Sequence, residues 1–430
     1  MSGPAEDGQA ASAAALPRHD PYAALRLTAF RWFVISLLTM TLSAQIQVIV
    51  VSWQIYAITH DPLSLGLIGL SEALPFIGVA LFAGHVADRF DRKRISIAAL
   101  FVLVLCAGAL LAFSFATARV LALGIWPFYT VIAVSGLARS FLQPARNALG
   151  VELVPRELYH NAIAWRSSTW QSAAVIGPAI GGLLYGFGGA RIAYVVQATL
   201  MGAAFLTFAR IEYSGRTPRG GPAESIAESL TVGLRFVWSQ PLLLGALTLD
   251  LFSVLLGGAE ALLPVFADQI LHVGPQGLGI LRAAPAAGAV LMSLHLAHRP
   301  PFTRAGRTML IAVATFALCI VGFGLSRSVY LSVGLLLVSG MADNVSVLIR
   351  STLLQVLTPG DLLGRVSSVN SIFIGSSNEI GAFESGVAAR LLGTVPAVVL
   401  GGVASLAVVG IVAVTVPALR RMGVIDRQPA

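Results

Sequence analysis

Twelve apolar segments recur along the 430-residue chain, and they constrain its fold more than any other feature. A helix that crosses a bilayer needs about 20 apolar residues, and backbone in hydrocarbon must satisfy its own hydrogen bonds. Only 11% of the residues are charged, against about 25% in soluble domains. We therefore predict an all-α polytopic membrane protein with twelve transmembrane helices, at 33–58, 65–87, 94–115, 125–150, 158–187, 190–211, 242–270, 276–297, 308–326, 329–356, 365–389 and 394–418.

Basic residues predict the orientation of these helices. Of the 28 Lys and Arg residues, twenty-one fall on the side of the two termini and four on the other side. The positive-inside rule then places both termini in the cytoplasm. Lys93 is the only lysine, and Arg92 precedes it, so the chain has no ATP-binding phosphate loop. The arginine-rich composition suggests a bacterial protein, and we expect it in the inner (cytoplasmic) membrane.

The polar segments divide the chain into five parts. We expect a disordered cytoplasmic tail at 1–27 and six-helix halves at 28–211 and 242–419. A cytoplasmic connector at 212–241 joins the halves, and a second tail occupies 420–430. From Glu224 to Trp238 the connector has apolar residues at helical spacing, which predicts an amphipathic helix along the inner membrane surface.

The two halves are related by an internal repeat. A shift of 204 residues superposes six Gly, Pro and Arg residues: Gly136 on Gly340, Arg146 on Arg350, Pro155 on Pro359, Gly177 on Gly381, Gly182 on Gly386 and Gly189 on Gly393. Homologous halves predict a binding site near the bilayer midplane, where they meet, and rocking between two open states.

A signature stands between the second and third predicted helices. Gly84, Asp88, Arg89, Arg92 and Lys93 fit the pattern G-x-x-x-D-R-x-x-R-[KR]. This segment resembles the cytoplasmic gate motif of the major facilitator superfamily, which implies the major facilitator fold of two pseudo-symmetric halves. We expect Gly84 to allow close helix approach and Asp88 to pair with arginines across the gate.

The fifth predicted helix contains a second motif. Gly177, Pro178, Gly181 and Gly182 resemble the G-P-x-x-G-G motif of antiporters in this superfamily, although Ala173 replaces an upstream glycine. The resemblance implies export. Short segments such as 54–60, 354–359 and 363–365 further resemble the enterobactin-exporter-like branch of drug and siderophore efflux proteins.

Ionisable residues inside the predicted helices are candidates for a substrate or proton site, because burying a charge in a membrane is costly. We select Arg139, Asp250, Glu260, Arg282, Asp343, Glu379 and Glu384, with the neutral contacts Gln47, Gln54 and Asn344; Glu72 and Arg166 also lie within helices. The excess of acids fits either proton carriers or a cationic substrate. Glu260 can pair with Arg282, whereas symmetry places Arg139 opposite Asp343 unless each is satisfied within its own half.

These features favour a secondary active transporter that exports a small amphipathic molecule, siderophore or drug-like, and we expect it to work by proton antiport. A lipid or lysolipid flippase would have the same fold. A membrane-embedded enzyme or a non-transporting sensor is disfavoured, since no histidine lies deep in a predicted helix. We expect no enzymatic activity, cofactor, metal or nucleic-acid partner. The expected partners are a small-molecule substrate, protons and membrane lipids, and we expect a monomer.

Overall fold

The computed structural model describes residues 20–116, 120, 122–213, 226–300, 302–360 and 362–424. Within this part of the chain, long helices follow one another with short connections. They are α1 Thr28–Thr59, α2 Pro62–Arg89, α3 Arg92–Phe115, α4 Trp126–Glu152, α5 and α6 in the stretch Tyr159–Ala209, α7 Pro241–Gly257, α8 Gly274–Ala297, α9 Ala305–Leu325, α10 Val329–Leu357, α11 Leu363–Leu392 and α12 Thr394–Thr415.

Nine stretches of the described chain are long and apolar enough to cross a membrane. One of them, Arg156–Ala209, contains both α5 and α6. Helices α4 and α11 are not among the nine, and both line the central cavity described below. The polytopic all-α prediction is confirmed, and twelve long helices are consistent with twelve crossings.

Two glycines of the internal repeat turn the chain between successive helices. Gly189 has φ 71° and separates α5 from α6, while Gly393 has φ 90° and separates α11 from α12. Positive φ is strained for residues that carry a Cβ atom, so glycine is favoured at both turns. The repeat thus has a structural cause at these equivalent positions.

Each half packs as a unit around its own buried residues. In the first half, Phe30, Phe33 and Phe208 belong to one core cluster; in the second, Met309 and Ile349 belong to another. Between the halves, the main contacts are α5 with α8 and α2 with α11. We call the side on which the described chain starts and ends the terminal face, and the other side the opposite face.

The predicted N-terminal tail is wrong for its last residues, since residues 20–27 are ordered. A short helix, Ala23–Arg26, lies against the start of α5, where the Asn161 side chain accepts a hydrogen bond from the Ala24 amide at 3.1 Å. Ala24 is fully buried, which explains the order. Residues 1–19 of that tail and 425–430 of the second tail lie outside the described residues.

The connector forms a helix over Ile226–Ser239, while residues 214–225 lie outside the described part. Its position along the inner membrane surface stays a prediction. Val237 is buried in a cluster with Leu243 and Val366, and Leu234 packs against the same cluster. Leu234 and Val237 of its apolar face therefore pack on the second half.

Candidate functional site

A cavity of about 1210 Å³ lies between the two halves. Small-molecule sites usually measure about 300–1,000 Å³, so this space suits a ligand of drug size or larger. The lining comes from α1, α2, α4 and α5 of the first half and from α7 to α11 of the second. Toward the terminal face it includes Ser167, Trp170, Ala297 and Ser351, which lie near the ends of α5, α8 and α10. The cavity therefore opens toward the terminal face.

The opposite face is closed by α5 packing against α8. A Cβ atom placed on Gly182 would lie 2.5 Å from the carbonyl oxygen of Pro275 and 2.9 Å from the Cα atom of Gly279. A Cβ atom on Gly279 would in turn lie 2.5 Å from the carbonyl oxygen of Pro178. Glycine lets the two backbones touch, so the halves seal here without side chains between them.

A second seal on the opposite face joins α2 to α11. A Cβ atom on Gly386 would lie 2.8 Å from the Cα atom of Gly66. At the rim, Arg390 Nη1 lies 3.3 Å from Asp61 Oδ2. The two seals together separate the cavity from the opposite face.

The motif on α5 thus serves two contacts. A Cβ atom on Gly177 would lie 2.6 Å from Gln45 Cβ, and one on Gly181 would lie 3.2 Å from Ile46 Cα, both on α1. Gly182 faces α8 instead. The close helix approach expected at this motif is therefore observed, both within the first half and between the halves.

The cavity lining contains four acids and two bases. Arg139 pairs with Glu72, and Arg282 Nη2 lies 3.2 Å from Glu260 Oε2, which is the expected second pair. Glu260 reaches the cavity because α7 is interrupted at Gly258 and continues as the 3-10 turn Ala259–Leu262. The two remaining acids of the lining are Asp343 and Glu379.

Neither of these two acids has an ion-pair partner among the described residues. Asp343 lies on α10. Glu379 lies on α11 at the seam with α2, where its Oε2 atom would lie 3.3 Å from a Cβ atom on Gly69. If all acids and bases of the lining ionise, the cavity carries an excess of negative charge.

Direct pairing of Arg139 with Asp343 is not observed in this state. Arg139 is satisfied within its own half by Glu72 on the neighbouring helix α2. A Cβ atom on Gly136 of α4 would lie 2.8 Å from the Glu72 carbonyl oxygen, so α2 and α4 approach closely one turn from Arg139. Because α2 lies so close to α4, Arg139 pairs with Glu72 rather than with an acid of the other half.

The three neutral candidates have different positions. Gln47 lines the cavity and accepts a hydrogen bond from Gln197 at 3.1 Å. Asn344 also lines it and accepts one from Ser293 at 3.2 Å. Gln54 is wrong as a cavity contact, because it is buried and accepts a hydrogen bond from the Tyr194 hydroxyl at 2.6 Å.

Two predicted acids do not line the central cavity. Asp250 forms a buried ion pair with Arg350, with side-chain exposures of 9% and 5%. Glu384 is absent from the lining although it lies one and a half turns from Glu379 on α11. Their helices place these side chains away from the space between the halves.

The gate motif lies at the terminal face, between α2 and α3. Arg92 Nη1 donates to Glu152 Oε1 at the end of α4, at 2.5 Å. Arg89 is exposed, Lys93 is half-buried, and the Asp88 side chain lies outside the described residues. The expected close approach at Gly84 is not observed: a Cβ atom there would meet nothing within 4 Å. In the described part of the chain, no helix packs against this glycine.

Sequence reasoning passed over several lining residues. The lining also includes Glu72, Trp170, Gln171 and Asn378, which are not among the site residues that the sequence predicts. For Glu72 the sequence does carry a signal. Gly136 allows a neighbouring helix to approach α4 closely, one turn from Arg139, so an acid on that neighbouring helix can reach Arg139. Trp170 and Gln171 in the first half of α5, and Asn378 in the middle of α11, carry no comparable signal in an apolar sequence.

Comparisons with known proteins agree with this geometry. Residues 19–430 match the family described as transmembrane secretion effector. The enterobactin exporter EntS of Escherichia coli O1:K1 / APEC is 31% identical over 323 residues, which cover 74% of each chain. EntS of Shigella boydii serotype 18 is 30% identical over the same share.

Solved structures share the fold at low sequence identity. The nucleoside transporter NupG superposes with a TM-score of 0.72 at 12% identity, covering 90% of this chain and 99% of that one. The peptide transporter POT in complex with alafosfalin gives 0.71 at 13% identity, covering 94% and 99%.

Proposed function

We propose that this chain, which belongs to the transmembrane secretion effector family of the major facilitator superfamily, exports a small amphipathic molecule from the cytoplasm in exchange for protons. It is an efflux transporter by family. The observation that carries the finer proposal is the central cavity, sealed at one face, which contains two ion pairs and two unpaired carboxyl groups.

The sidedness follows from the arginine distribution. The terminal face carries most of the basic residues, so we assign it to the cytoplasm. The cavity then faces the cytoplasm and can receive substrate from inside the cell. Opening of the glycine seals, with closure near the gate motif, would present the same cavity to the outside, which is alternating access.

The lining suits an amphipathic ligand. Trp170, Phe316 and Ile320 offer apolar surface, while Gln171 and Asn378 offer hydrogen bonds. The similarity to enterobactin exporters makes a siderophore the first substrate to test, with other drug-like molecules next.

Proton coupling is supported by the unpaired acids. An ionised carboxyl group in a membrane protein is costly unless it is paired or bound to a ligand. Asp343 and Glu379 can therefore avoid the free-energy cost of an unpaired charge in two ways: each can take up a proton or accept hydrogen bonds from a substrate. Because both events use the same oxygen atoms, proton and substrate would compete, as antiport requires.

Transport into proteoliposomes tests the proposal. Purified protein is reconstituted, a pH gradient is imposed, and uptake of enterobactin and of the cationic amphipath ethidium is measured. We expect accumulation of at least one of them that a protonophore abolishes. Equal uptake with and without the gradient would refute proton coupling.

The same vesicles separate export from lipid flipping. A fluorescent lysophosphatidylethanolamine replaces the soluble substrates, and its translocation is followed by quenching from outside. Movement of this lipid without uptake of enterobactin or ethidium would favour a flippase and refute the proposed substrate class.

A further inference from the structure

A second, much smaller pocket lies inside the C-terminal half, beside the central cavity. Its volume of about 10 Å³ is close to what one water molecule needs. It lies between α7, α9 and α10, and its lining residues are Asp250, Ser253, Val254, Val313, Phe316, Asp343 and Ser346. Val254, Phe316 and Asp343 also line the central cavity. Asp343 therefore stands between the two spaces.

Two serine hydroxyl groups in this pocket have no hydrogen-bond partner among the described residues. Ser253 is 3% exposed and Ser346 is 2% exposed, and the Oγ atom of each is unsatisfied by protein. Buried polar groups are normally hydrogen-bonded, because an unmade bond destabilises the folded state. Both hydroxyls therefore indicate that the pocket binds a polar molecule. The size and polarity of the pocket fit one water molecule.

The charges around this pocket are unequal. Asp250 pairs with Arg350, so its negative charge is compensated. Asp343 has no such partner among the described residues. Its charged neighbour is Glu260, in the 3-10 turn after α7, which pairs with Arg282 of α8. Of the two acids, only Asp343 combines an uncompensated charge with contact to the cavity.

The N-terminal half lacks this arrangement. Arg146, which the repeat places at the position of Arg350, reaches α1, where its Nη1 atom lies 3.7 Å from Met40 Sδ. Arg350 reaches the corresponding helix α7 of its own half, where it meets Asp250. The fold therefore accommodates the repeat arginine without an acid, so packing of this arginine does not by itself require Asp250.

We propose that the Asp343 carboxyl group, hydrogen-bonded through a water molecule to Ser253, Ser346 and the Asp250–Arg350 pair, is the proton-binding site of the transporter. A proton from cavity water forms an O–H bond on an Asp343 oxygen, and release breaks that bond and returns the proton to cavity water. Asp250 stays ionised beside Arg350. The inference rests on the proposed function and assigns the coupled proton to one residue.

Infrared difference spectroscopy of the reconstituted protein tests this assignment without a substrate. A pH step protonates the site, and the carboxylic acid C=O band of the protonated group is recorded. We expect a band in the wild type that Asp343→Asn removes and that Glu379→Gln leaves in place, beside any bands that other carboxyl groups contribute. Retention of the band in Asp343→Asn, or its loss in Glu379→Gln instead, would overturn the assignment.

Serine variants test the pocket itself. Removing both hydroxyls, by Ser253→Ala with Ser346→Ala, should keep the band but raise its frequency, since the carboxyl group loses hydrogen bonds. Ser332→Ala is the matched control on α10: Ser332 is fully buried, but its hydroxyl donates to Ser326 at 2.9 Å, far from the pocket. An equal shift in the control, or none in the double variant, would remove the pocket from the site.

Transport separates this inference from the proposed function. If wild-type transport depends on the pH gradient, Asp343→Asn should lower gradient-driven accumulation to the level seen with a protonophore, and unchanged accumulation would overturn the inference. If wild-type transport ignores the gradient while the band still disappears in Asp343→Asn, the proton site stands and the proposed antiport fails.

Discussion

Closure of the opposite face depends on contact between two backbones, and Gly182→Ala should weaken it. The new Cβ atom would lie 2.5 Å from the Pro275 carbonyl oxygen and 2.9 Å from Gly279 Cα. Backbone atoms cannot turn away as a flexible side chain can, so α5 and α8 must separate. Such overpacking costs about 1–3 kcal/mol. The gain in helix propensity from alanine is the same in both states and cancels.

A cost of this size should shift the equilibrium between the two open states by about 5- to 150-fold toward opening at the opposite face. Electron-electron resonance can measure the shift with spin labels on cysteines at Phe187 and Leu391, after replacement of Cys106 and Cys319. Phe187 and Leu391 lie in different halves near the opposite face, and their exposed fractions are 82% and 76%. The population at long distance should rise.

Gly202→Ala is the matched control for this experiment. Gly202 also lies in a helix, but a Cβ atom there would meet nothing within 4 Å. The spin-label distance distribution of Gly202→Ala should equal that of the protein without this substitution. If Gly182→Ala also gives that distribution, the glycine contact does not control closure and the reasoning is wrong.

Three further predictions test the charges. Asp250→Asn should destabilise the protein by about 3–5 kcal/mol, because it leaves Arg350 buried without its partner; thermal unfolding in detergent should show the loss, and replacing both residues with Leu should restore most of it. Glu72→Gln and Arg139→Gln should each lower transport, with the double variant no worse than either, since the two residues act as one pair; additive losses would contradict this. Asp88→Asn should reduce transport while membrane insertion stays normal, and a wild-type rate would remove its gate role.

The helices and the repeat were predictable because their causes are local. Apolar length sets a membrane helix, and the positive φ at Gly189 and Gly393 needs glycine whatever surrounds it. The glycine motif on α5 was predictable as well, since a missing side chain allows close approach where another helix lies opposite, as it does here but not at Gly84. Such features can be read directly from residue type and spacing.

Side-chain pairing was less predictable, because it depends on how each helix is rotated against its neighbours. Symmetry suggested Asp343 for Arg139, yet Glu72 on α2 was nearer within the same half. Gln54 shares a helical stripe with Gln47, but only Gln47 faces the cavity, because Tyr194 binds Gln54. The 3-10 turn that carries Glu260 to the cavity had no sequence signal beyond Gly258.

The position of Glu379 links closure of the opposite face to charge. Its charged neighbours across the seam are Glu72 and Arg139, with Arg282 in its own half. Both arginines already pair with other acids, so an ionised Glu379 meets the Glu72 carboxylate when α2 and α11 close. Like charges that face each other across an interface oppose its formation, and this opposition disappears when α11 leaves α2.

Glu379→Gln should therefore favour closure, the reverse of Gly182→Ala. At a pH at which Glu379 of the wild type is ionised, the same spin-label pair should show fewer long distances in the variant, by on the order of tenfold or more. Raising the pH should open the opposite face in the wild type, because Glu379 ionises, and should have less effect in the glutamine variant. Glu384→Gln is the matched control, since it removes an acid from the same helix without touching the cavity lining. If both variants respond to pH as the wild type does, charge at Glu379 does not govern closure.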